Sequence, residues 1–391
     1  MKFLFILEYN DNVGIGHFDR CHNLAHKLIE NKHDCIFLNF NSKKKILKTY
    51  NISKKILFKK IPNSIFEPSN LDKFYNLISK FNPDFLIFDS YKINYSFLKK
   101  INNFGFKTIV MADIKRKYFC DILINPNSEK KYYNFKKDSL SLSGLPYQFI
   151  KKEFFKRDNK NYSIIKKNIL IFLGSSKKKI NIDSLISHIN KTIKQNFKYK
   201  IISKENCKLD YPNVEYLNFL PQKKLIEEID RSAFIISAGG TFLPKCLSKK
   251  KIVFVIKTAS NQNELIKYLK EKKLIISIDS KYKNLNNKNI AVLKSHINYY
   301  ENNILNLNKI EFNFKNFLSK LRYINNELII IKKNKFQCRQ IFDIQSEAGN
   351  RKYSFNNKKI NFNNHKLWFY KIIINKFYYY FLIKKNNYII G

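Results

Sequence analysis

The sequence lacks a long hydrophobic run. No stretch approaches the roughly 20 apolar residues that a membrane-spanning helix needs. At the N-terminus, Phe3–Leu7 is apolar but Glu8 follows it, so the run is too short for a signal peptide. Near the other end, Tyr378–Ile383 is a short apolar stretch between lysines. These absences predict a soluble, cytoplasmic protein without a membrane span.

Paired cysteines are also missing. The six cysteines include no C-x-x-C pair, and none has a histidine partner at metal-binding spacing. Cys21 and His22 are adjacent, which is the wrong geometry for chelation from one helix face. The cysteines are therefore expected to be reduced, mostly buried thiols. We expect neither a metal site nor a cofactor.

Arginine is rare, although the formal net charge is +44. A nucleic-acid-binding chain usually concentrates Lys and Arg on one face or tail. Here the lysines run from Lys2 to Lys385 without a block boundary, which favours a compositional bias of the whole chain. We expect no nucleic-acid partner, while the charge favours anionic ligands. A non-catalytic, nucleic-acid-associated protein is the alternative.

Short apolar runs alternate with amphipathic stretches, and this pattern occurs twice. Continuous apolar strands separated by helices are typical of parallel sheets covered on both faces. We predict an α/β protein with two Rossmann-like domains, at residues 1–150 and 151–325, whose facing strand ends form a ligand cleft. The predicted strands are Phe3–Leu7, Cys35–Leu38, Phe85–Phe88, Thr108–Met111, Ile122–Ile124, Ile169–Leu173, Lys200–Ser203, Val214–Leu217, Phe234–Ser237 and Ile252–Ile256.

Five of the nine glycines follow predicted strands. Glycine permits positive φ and close backbone approach, which suits a loop whose N–H groups hold a phosphate. At each single position, the alternative is that the glycine only forms a turn. This alternative is less favoured when all five glycines lie at the predicted cleft. These glycines are Gly14, Gly16, Gly174, Gly239 and Gly240.

The loop Gly14–Cys21 follows the first strand and begins a helix. It lacks the third glycine of a dinucleotide-binding fingerprint, so its two glycines are weak evidence alone. His17 would lie at the helix N-terminus and point into the cleft, where the helix dipole disfavours an imidazolium. A neutral imidazole there suits a general base. The alternative is that His17 only caps or packs.

Polar residues follow other predicted strands. Asp89 could orient the histidine or bind a sugar hydroxyl, and Tyr91 could donate to a developing charge; alternatively, Asp89 caps the next helix. Asp113 is similar but less specific. In the second half, Ser237–Thr241 would hold a diphosphate on backbone N–H groups. The amides of Ser260–Asn263 suit sugar hydroxyl and acetamido groups, unless this segment only caps a helix.

The candidate segments form an ordered set: Gly14–His17, Arg20-Cys21, Leu24-Ala25, Asp89–Tyr91, Ala112-Asp113, Cys120-Asp121, Asn125–Asn127, Gly144–Phe154, Gly174-Ser175, Ser237–Thr241 and Asn261-Gln262. This set resembles the PseG family of UDP-2,4-diacetamido-2,4,6-trideoxy-β-L-altropyranose hydrolases over about residues 1–320. The resemblance implies a glycosyltransferase-B-like fold related to MurG-type glycosyltransferases. It also implies metal-independent hydrolysis of a UDP-sugar in pseudaminic acid biosynthesis.

The resemblance assigns roles to particular residues. It implies that His17 is the base that activates water, with Asp89 beside it, and that Tyr91 lines the reacting sugar. Gly239 and Gly240 would hold the diphosphate. The other implied substrate contacts are Gly14, Gly16, Arg20, Gly174, Ser237, Thr241, Asn261 and Gln262.

Two positions depart from the family pattern. Pro244 stands where the family has a glutamate that binds the ribose, and Lys151 replaces an arginine. Proline is tolerated in the first helical turn, but ribose binding loses its carboxylate. Three consequences are therefore possible: the enzyme binds its substrate more weakly, it uses another nucleotide sugar, or it is a catalytically decayed homologue. The nearest alternative function is a glycosyltransferase-B-type enzyme that transfers the sugar of a UDP-sugar.

A third pattern occupies residues 335–391. Its characteristic segments are Phe342–Gln345, Asn350–Phe355 and His365–Phe369, and Tyr378–Ile383 and Tyr388–Gly391 would be strands. These segments resemble the start of a GNAT N-acetyltransferase, before its glycine-rich acetyl-CoA loop. We expect a partial α+β segment without activity of its own, completed by an acetyltransferase partner or a missing C-terminal portion.

Overall fold

The computed structural model describes the chain in segments. The described residues are 1–8, 16–39, 56–61, 65, 70–129, 132–156, 168–174, 180–193, 196–203, 212–218, 220–279, 282–293, 295, 307–325, 328–330, 335–346, 361–374, 381–385 and 388–389. Some of the sequence predictions lie outside the described residues, namely those on Gly14, Ser175, Asn350–Phe355, the beginning of Tyr378–Ile383 and the end of Tyr388–Gly391.

The first domain contains a parallel sheet of seven strands. Its strands are β1 (Lys2–Leu7), β2 (Asp34–Asn39), β3 (Ile56–Lys60), β4 (Phe85–Asp89), β5 (Thr108–Met111), β6 (Ile122–Asn125) and β7 (Leu140–Ser143). Its helices are α1 (Gly16–Glu30), α2 (Leu71–Ser79) and α3 (Tyr95–Asn103). The strand order is β3-β2-β1-β4-β5-β6-β7, and each neighbouring pair is parallel.

Strand β1 shows why helices cover both faces of this sheet. Phe3 packs in one apolar cluster with Leu24 of α1. Leu4 packs in a second cluster with Phe74 of α2 and Leu98 of α3. Successive strand side chains point to opposite faces, so a continuous apolar run needs a cover on each face.

The second domain contains a parallel sheet of six strands. Its strands are β8 (Asn168–Phe172), β9 (Lys198–Ile202), β10 (Val214–Leu217), β11 (Ser232–Ala238), β12 (Ile252–Ile256) and β13 (Ile276–Ser277). Its helices are α4 (Ile182–Ile193), α5 (Gln222–Arg231), α6 (Phe242–Ser248) and α7 (Asn263–Glu271). The strand order is β10-β9-β8-β11-β12-β13, again with parallel neighbours.

Helix α8 (Leu307–Asn325) joins the two domains. The sequence boundaries placed it in the second domain, and its Ile310 does belong to that domain's apolar cluster. However, Phe314 and Phe317 pack in the first-domain cluster, with ring centroids 5.9 and 5.7 Å from that of Phe149. These phenylalanines share one helix face with Leu318 and Leu321, and this apolar face is buried by the first domain.

The C-terminal segment adds an antiparallel sheet. Its strands are β14 (Leu328–Ile330), β15 (Phe381–Lys385) and β16 (Tyr388–Ile389), and its helices are α9 (Lys335–Ser346) and α10 (Phe362–Ile374). His365 of α10 lies with Nε2 3.1 Å from the Cys338 carbonyl of α9. The resemblance of this segment to an acetyltransferase stays a prediction. Within the described residues, no helix is long and apolar enough to cross a bilayer.

Candidate active site

His17 lies at the start of α1, where this helix follows the carboxyl end of β1. Its side chain is buried, with 4% of the residue exposed. The Nδ1 atom lies 3.1 Å from the backbone carbonyl oxygen of Asp89. Because a carbonyl oxygen only accepts hydrogen bonds, this contact assigns the ring hydrogen to Nδ1. In the tautomer with its hydrogen on Nδ1, the lone pair of the ring is on Nε2.

The surroundings of His17 Nε2 leave that lone pair unused. This buried atom has no hydrogen-bond partner among the residues that the structure describes. Oδ2 of Asp113 lies 3.9 Å from it. The Tyr91 ring packs edge-on against the imidazole, with centroids 4.7 Å apart. The ring of His17 is therefore held in place while one of its nitrogens stays free to react.

Asp89 ends β4 and anchors Arg20. Arg20 donates from Nε to Oδ2 of Asp89 at 2.5 Å and from Nη2 to Oδ1. The Cys21 thiol donates to the same carboxylate at 3.4 Å. Asp89 does not cap the next helix, because the Asn94 side chain accepts the capping hydrogen bond from Phe97 N.

Asp113 contributes more to the site than the sequence analysis predicted. It follows β5 and accepts a hydrogen bond from Tyr91 Oη at 2.9 Å, while Arg20 Nη1 lies 3.3 Å away. Burial raises the pKa of the Asp113 carboxyl, but the Arg20 and His17 charges and hydrogen bonds from Tyr91 and Asn261 lower it further, so the net pKa is lowered. Its position directly after an apolar strand, as for Asp89, was the available signal.

Arg20 lies between the two carboxylates, and 4% of it is exposed. Burial alone would lower the pKa of Arg20, but Asp89 and Asp113 hold it well above its ordinary value. Its guanidinium therefore stays charged and compensates the buried carboxylates. This contact set describes a positioning role, and the expectation that Arg20 touches substrate stays a prediction.

The second-domain loop Ser237–Thr241 is held by Gln262. Oε1 of Gln262 accepts hydrogen bonds from Gly239 N at 3.3 Å and from Thr258 N at 2.9 Å. The Ser237 hydroxyl is buried and donates to the Ala238 carbonyl at 2.9 Å. Ser237 and Gln262, both expected at the substrate, thus make these polar contacts within the protein, and their roles in binding stay predictions.

The two domains meet at this loop. A methyl group placed on Gly16 would lie 3.8 Å from the Thr241 methyl carbon. Asn261 Nδ2 donates to Tyr91 Oη at 2.8 Å and lies 3.4 Å from Oδ2 of Asp113. His17 and the loop that carries Gly239 and Gly240 therefore lie on facing sides of one cleft. Gly174, with φ of +75°, is exposed at the end of β8.

Both departures from the resembled family lie near this cleft. Pro244 is the third residue of α6, where it is buried. The next residue, Lys245, pairs with Asp19 of α1 at 2.7 Å. Burial lowers the pKa of Lys151, and its charge interacts with Asp19 and Lys245. Lys151 and Lys245 thus form a basic cluster around Asp19, and Pro244 and Lys151, the two positions that depart from the family pattern, are part of it or adjacent to it.

The chain is similar to several solved structures. For Acinetobacter baumannii MurG, the TM-score is 0.52 at 12% identity, over 82% of this chain and 100% of that one. For Phytolacca americana UGT2 complexed with UDP-2fluoro-glucose and pterostilbene, the TM-score is 0.56 at 7% identity, over 82% of this chain and 98% of that one. For the spinosyn rhamnosyltransferase SpnG complexed with thymidine diphosphate, the TM-score is 0.54 at 9% identity, over 82% of this chain and 100% of that one.

No protein-family model and no curated protein matches the sequence. At identities of 7 to 12%, the structural likeness establishes the fold and nothing finer. The likeness confirms the predicted α/β architecture of two Rossmann-like domains. The chain therefore has a glycosyltransferase-B-like fold.

Proposed function

We propose that the protein hydrolyses UDP-2,4-diacetamido-2,4,6-trideoxy-β-L-altropyranose to UDP and the free sugar. The observation that carries this proposal is the state of His17, whose Nδ1 is bound by the Asp89 carbonyl while Nε2 has no hydrogen-bond partner among the described residues. A fixed imidazole with one free nitrogen at an interdomain cleft suits a general base. The resemblance to the PseG family supplies the particular substrate.

In the proposed reaction, His17 Nε2 takes a proton from water as the water oxygen attacks the anomeric carbon. The bond between that carbon and the diphosphate oxygen breaks, and its electron pair leaves with UDP. The imidazolium that forms lies 3.9 Å from Asp113 and 3.3 Å from Asp89, so both carboxylates stabilise its charge. UDP is a good leaving group, so placement of the water is the main requirement.

The diphosphate would lie on the Gly239–Gly240 loop. A methyl group on Gly240 would meet no described atom within 4 Å, so this backbone is open to a ligand. The N–H of Gly239 is already bound to Gln262, which leaves Gly240 and Thr241 as the proposed N–H donors. Backbone donors aimed at the diphosphate would stabilise the negative charge that develops on UDP as it leaves.

Tyr91 and Asn261 would contact the sugar. Burial and the Asp113 charge hold the pKa of Tyr91 above its ordinary value, so its hydroxyl stays protonated. Its hydrogen bond with Asn261 closes the cleft beside His17. Substrate binding would therefore exchange this interdomain hydrogen bond for bonds to the sugar, which requires the domains to separate.

A glycosyltransferase is the second candidate. The similar structures include proteins named as a rhamnosyltransferase and a forosaminyltransferase, SpnG and SpnP. In that reaction His17 would deprotonate an acceptor hydroxyl instead of water. Product analysis separates the two functions, because a hydrolase forms free sugar at the same rate whether or not an acceptor is added.

The test is UDP release from the diacetamido altrose substrate by wild type and His17→Ala. We expect the variant to lose roughly 100- to 10,000-fold in rate while staying folded, as is typical for loss of a general base. His26→Ala on the same helix is the matched control, since the His26 ring lies partly exposed near Glu30. A folded wild type that releases no UDP, or an unaffected His17→Ala, contradicts the proposal.

A further inference from the structure

Tyr132 lies in the segment between β6 and β7 of the first domain. Only 6% of it is exposed, and its hydroxyl is buried without a hydrogen-bond partner among the described residues. Its ring stacks on Tyr118, with centroids 6.3 Å apart and planes at 14°. Tyr118 is similarly buried, but its hydroxyl donates to the Ile114 carbonyl at 2.7 Å. Of these two stacked phenols, one has an internal acceptor and the other does not.

The segment that carries Tyr132 contacts the second domain, because Glu129 accepts a hydrogen bond from Tyr268 Oη of α7 at 2.7 Å. Burial raises the pKa of Tyr132 to about 12, and the charges of Glu264 and Asp113 act in the same direction, against that of Arg20. Glu264 belongs to the first turn of α7, three positions after Asn261. Tyr132 thus lies in the electrostatic field of the cleft network, and at neutral pH its hydroxyl keeps a hydrogen that it can donate.

A buried hydroxyl without a partner is unfavourable in a folded protein, because it loses its bonds to water. Phenylalanine would fill the same stack on Tyr118 without that cost. The packing of the described residues around Tyr132 therefore does not explain the hydroxyl. An acceptor that enters the cleft would explain it.

We propose that Tyr132 is a substrate-binding residue that donates a hydrogen bond to an oxygen of the sugar moiety. The inference rests on the proposed function, in which a nucleotide sugar binds between the domains. The diphosphate is assigned to the second-domain loop, whereas Tyr132 belongs to the first domain, where the Asp113 charge acts on it. Its contact is therefore with the sugar, and UDP alone does not engage it.

The experiment compares Tyr132→Phe with the matched variant Tyr118→Phe. Calorimetric titration with UDP and with UDP-N-acetylglucosamine measures the affinities, and thermal unfolding measures stability. We expect Tyr132→Phe to bind the UDP-sugar about 3- to 10-fold more weakly, as for loss of one hydrogen bond, with unchanged UDP affinity. Its melting temperature should stay equal or rise. Tyr118→Phe should melt at a lower temperature and keep both affinities.

The outcomes separate this inference from the proposed function. If Tyr132→Phe binds UDP-N-acetylglucosamine as tightly as wild type, or loses affinity for UDP equally, the sugar contact is overturned. If wild type binds the UDP-sugar but releases no UDP from the diacetamido substrate, the hydrolase proposal alone is overturned. If wild type binds neither UDP nor the UDP-sugar, both proposals are overturned.

Discussion

The Nζ atom of Lys245 lies 2.7 Å from Oδ1 of Asp19 and joins the second domain to helix α1 of the first. The side chains are 12% and 3% exposed, so this ion pair is largely buried. Removal of one partner from a buried ion pair typically costs about 3–5 kcal/mol, because the other charge stays buried. We expect Lys245→Met to lower the free energy of unfolding by about that amount, measured by urea titration.

An exposed ion pair provides the matched control. Lys152 lies 3.5 Å from Glu311 of α8, with the two side chains 53% and 39% exposed. Solvent screens such a pair, so Lys152→Met should change the unfolding free energy by less than about 1 kcal/mol. Equal losses in the two lysine variants would show that burial of the Asp19 pair does not matter.

Arg20 should determine how stability depends on pH. With Arg20 present, the lowered pKa of Asp113 stabilises the fold above the unfolded value of about 3.9, and this stability is lost as pH falls through the folded pKa. In a variant without Arg20, we expect burial, the largest contribution, to raise that pKa. Arg20→Met should therefore be strongly destabilised at neutral pH and regain stability as pH falls toward about 5.

Urea unfolding between about pH 4.5 and 7 measures this change of slope. Arg116→Met is the control, because Arg116 donates hydrogen bonds to the backbone carbonyls of Ser90 and Tyr91, which do not titrate. It should lower stability by a similar amount at each pH. An Arg20→Met profile parallel to that of wild type would contradict the role assigned to this guanidinium.

His22 should make the fold less stable in mild acid. Burial holds its pKa at about 3 in the folded protein. An unfolded histidine has a pKa of about 6.5, so between these values the unfolded chain binds a proton that the folded protein does not. Stability should therefore rise with pH in this window, by at most about 1.4 kcal/mol per pH unit.

The variant His22→Phe should flatten that slope between about pH 5 and 6.5, because no imidazole remains to take up a proton on unfolding. Urea titrations at several pH values measure the slope. His26→Phe on the same helix is the control and should leave it nearly unchanged, since the His26 side chain is 37% exposed. A slope that survives in His22→Phe would assign the acid sensitivity to other groups.

Gly239 and Gly240 should respond differently to alanine. A methyl group on Gly239 would lie 2.7 Å from Ile266, whereas one on Gly240 would meet no described atom within 4 Å. Gly239→Ala should cost about 1–3 kcal/mol of stability through overpacking. Gly240→Ala should stay within about 0.5 kcal/mol and lose affinity for UDP, because its methyl group would lie in the diphosphate position.

Thermal unfolding and calorimetric titration with UDP measure the two effects separately. The glycines serve as each other's control, since they are adjacent in one loop. If Gly240→Ala keeps full UDP affinity, the diphosphate does not lie on this backbone. If Gly239→Ala is as stable as wild type, the contact with Ile266 does not restrict the loop.

Apolar runs located the buried strands of both sheets. Strands β5 and β12 begin and end where the runs do, because their apolar residues are mostly buried by neighbouring elements. The short strands β13 and β14 were missed, as were β3 and β7, which contain lysines or serines among their apolar residues. Strands β3 and β7 are the edges of the first sheet, and an edge strand has a neighbour on one side only.

That strands precede His17 and Asp89 follows from the chain alone, because the apolar run before each residue is a local signal. Which side chains meet at the site depends on the fold. The lateral order β1-β4-β5 brings Asp89 to His17 across 72 positions and adds Asp113. Domain packing brings Asn261 to Tyr91 across 170 positions. Such contacts depend on strand order and domain packing, which residues near in sequence do not encode.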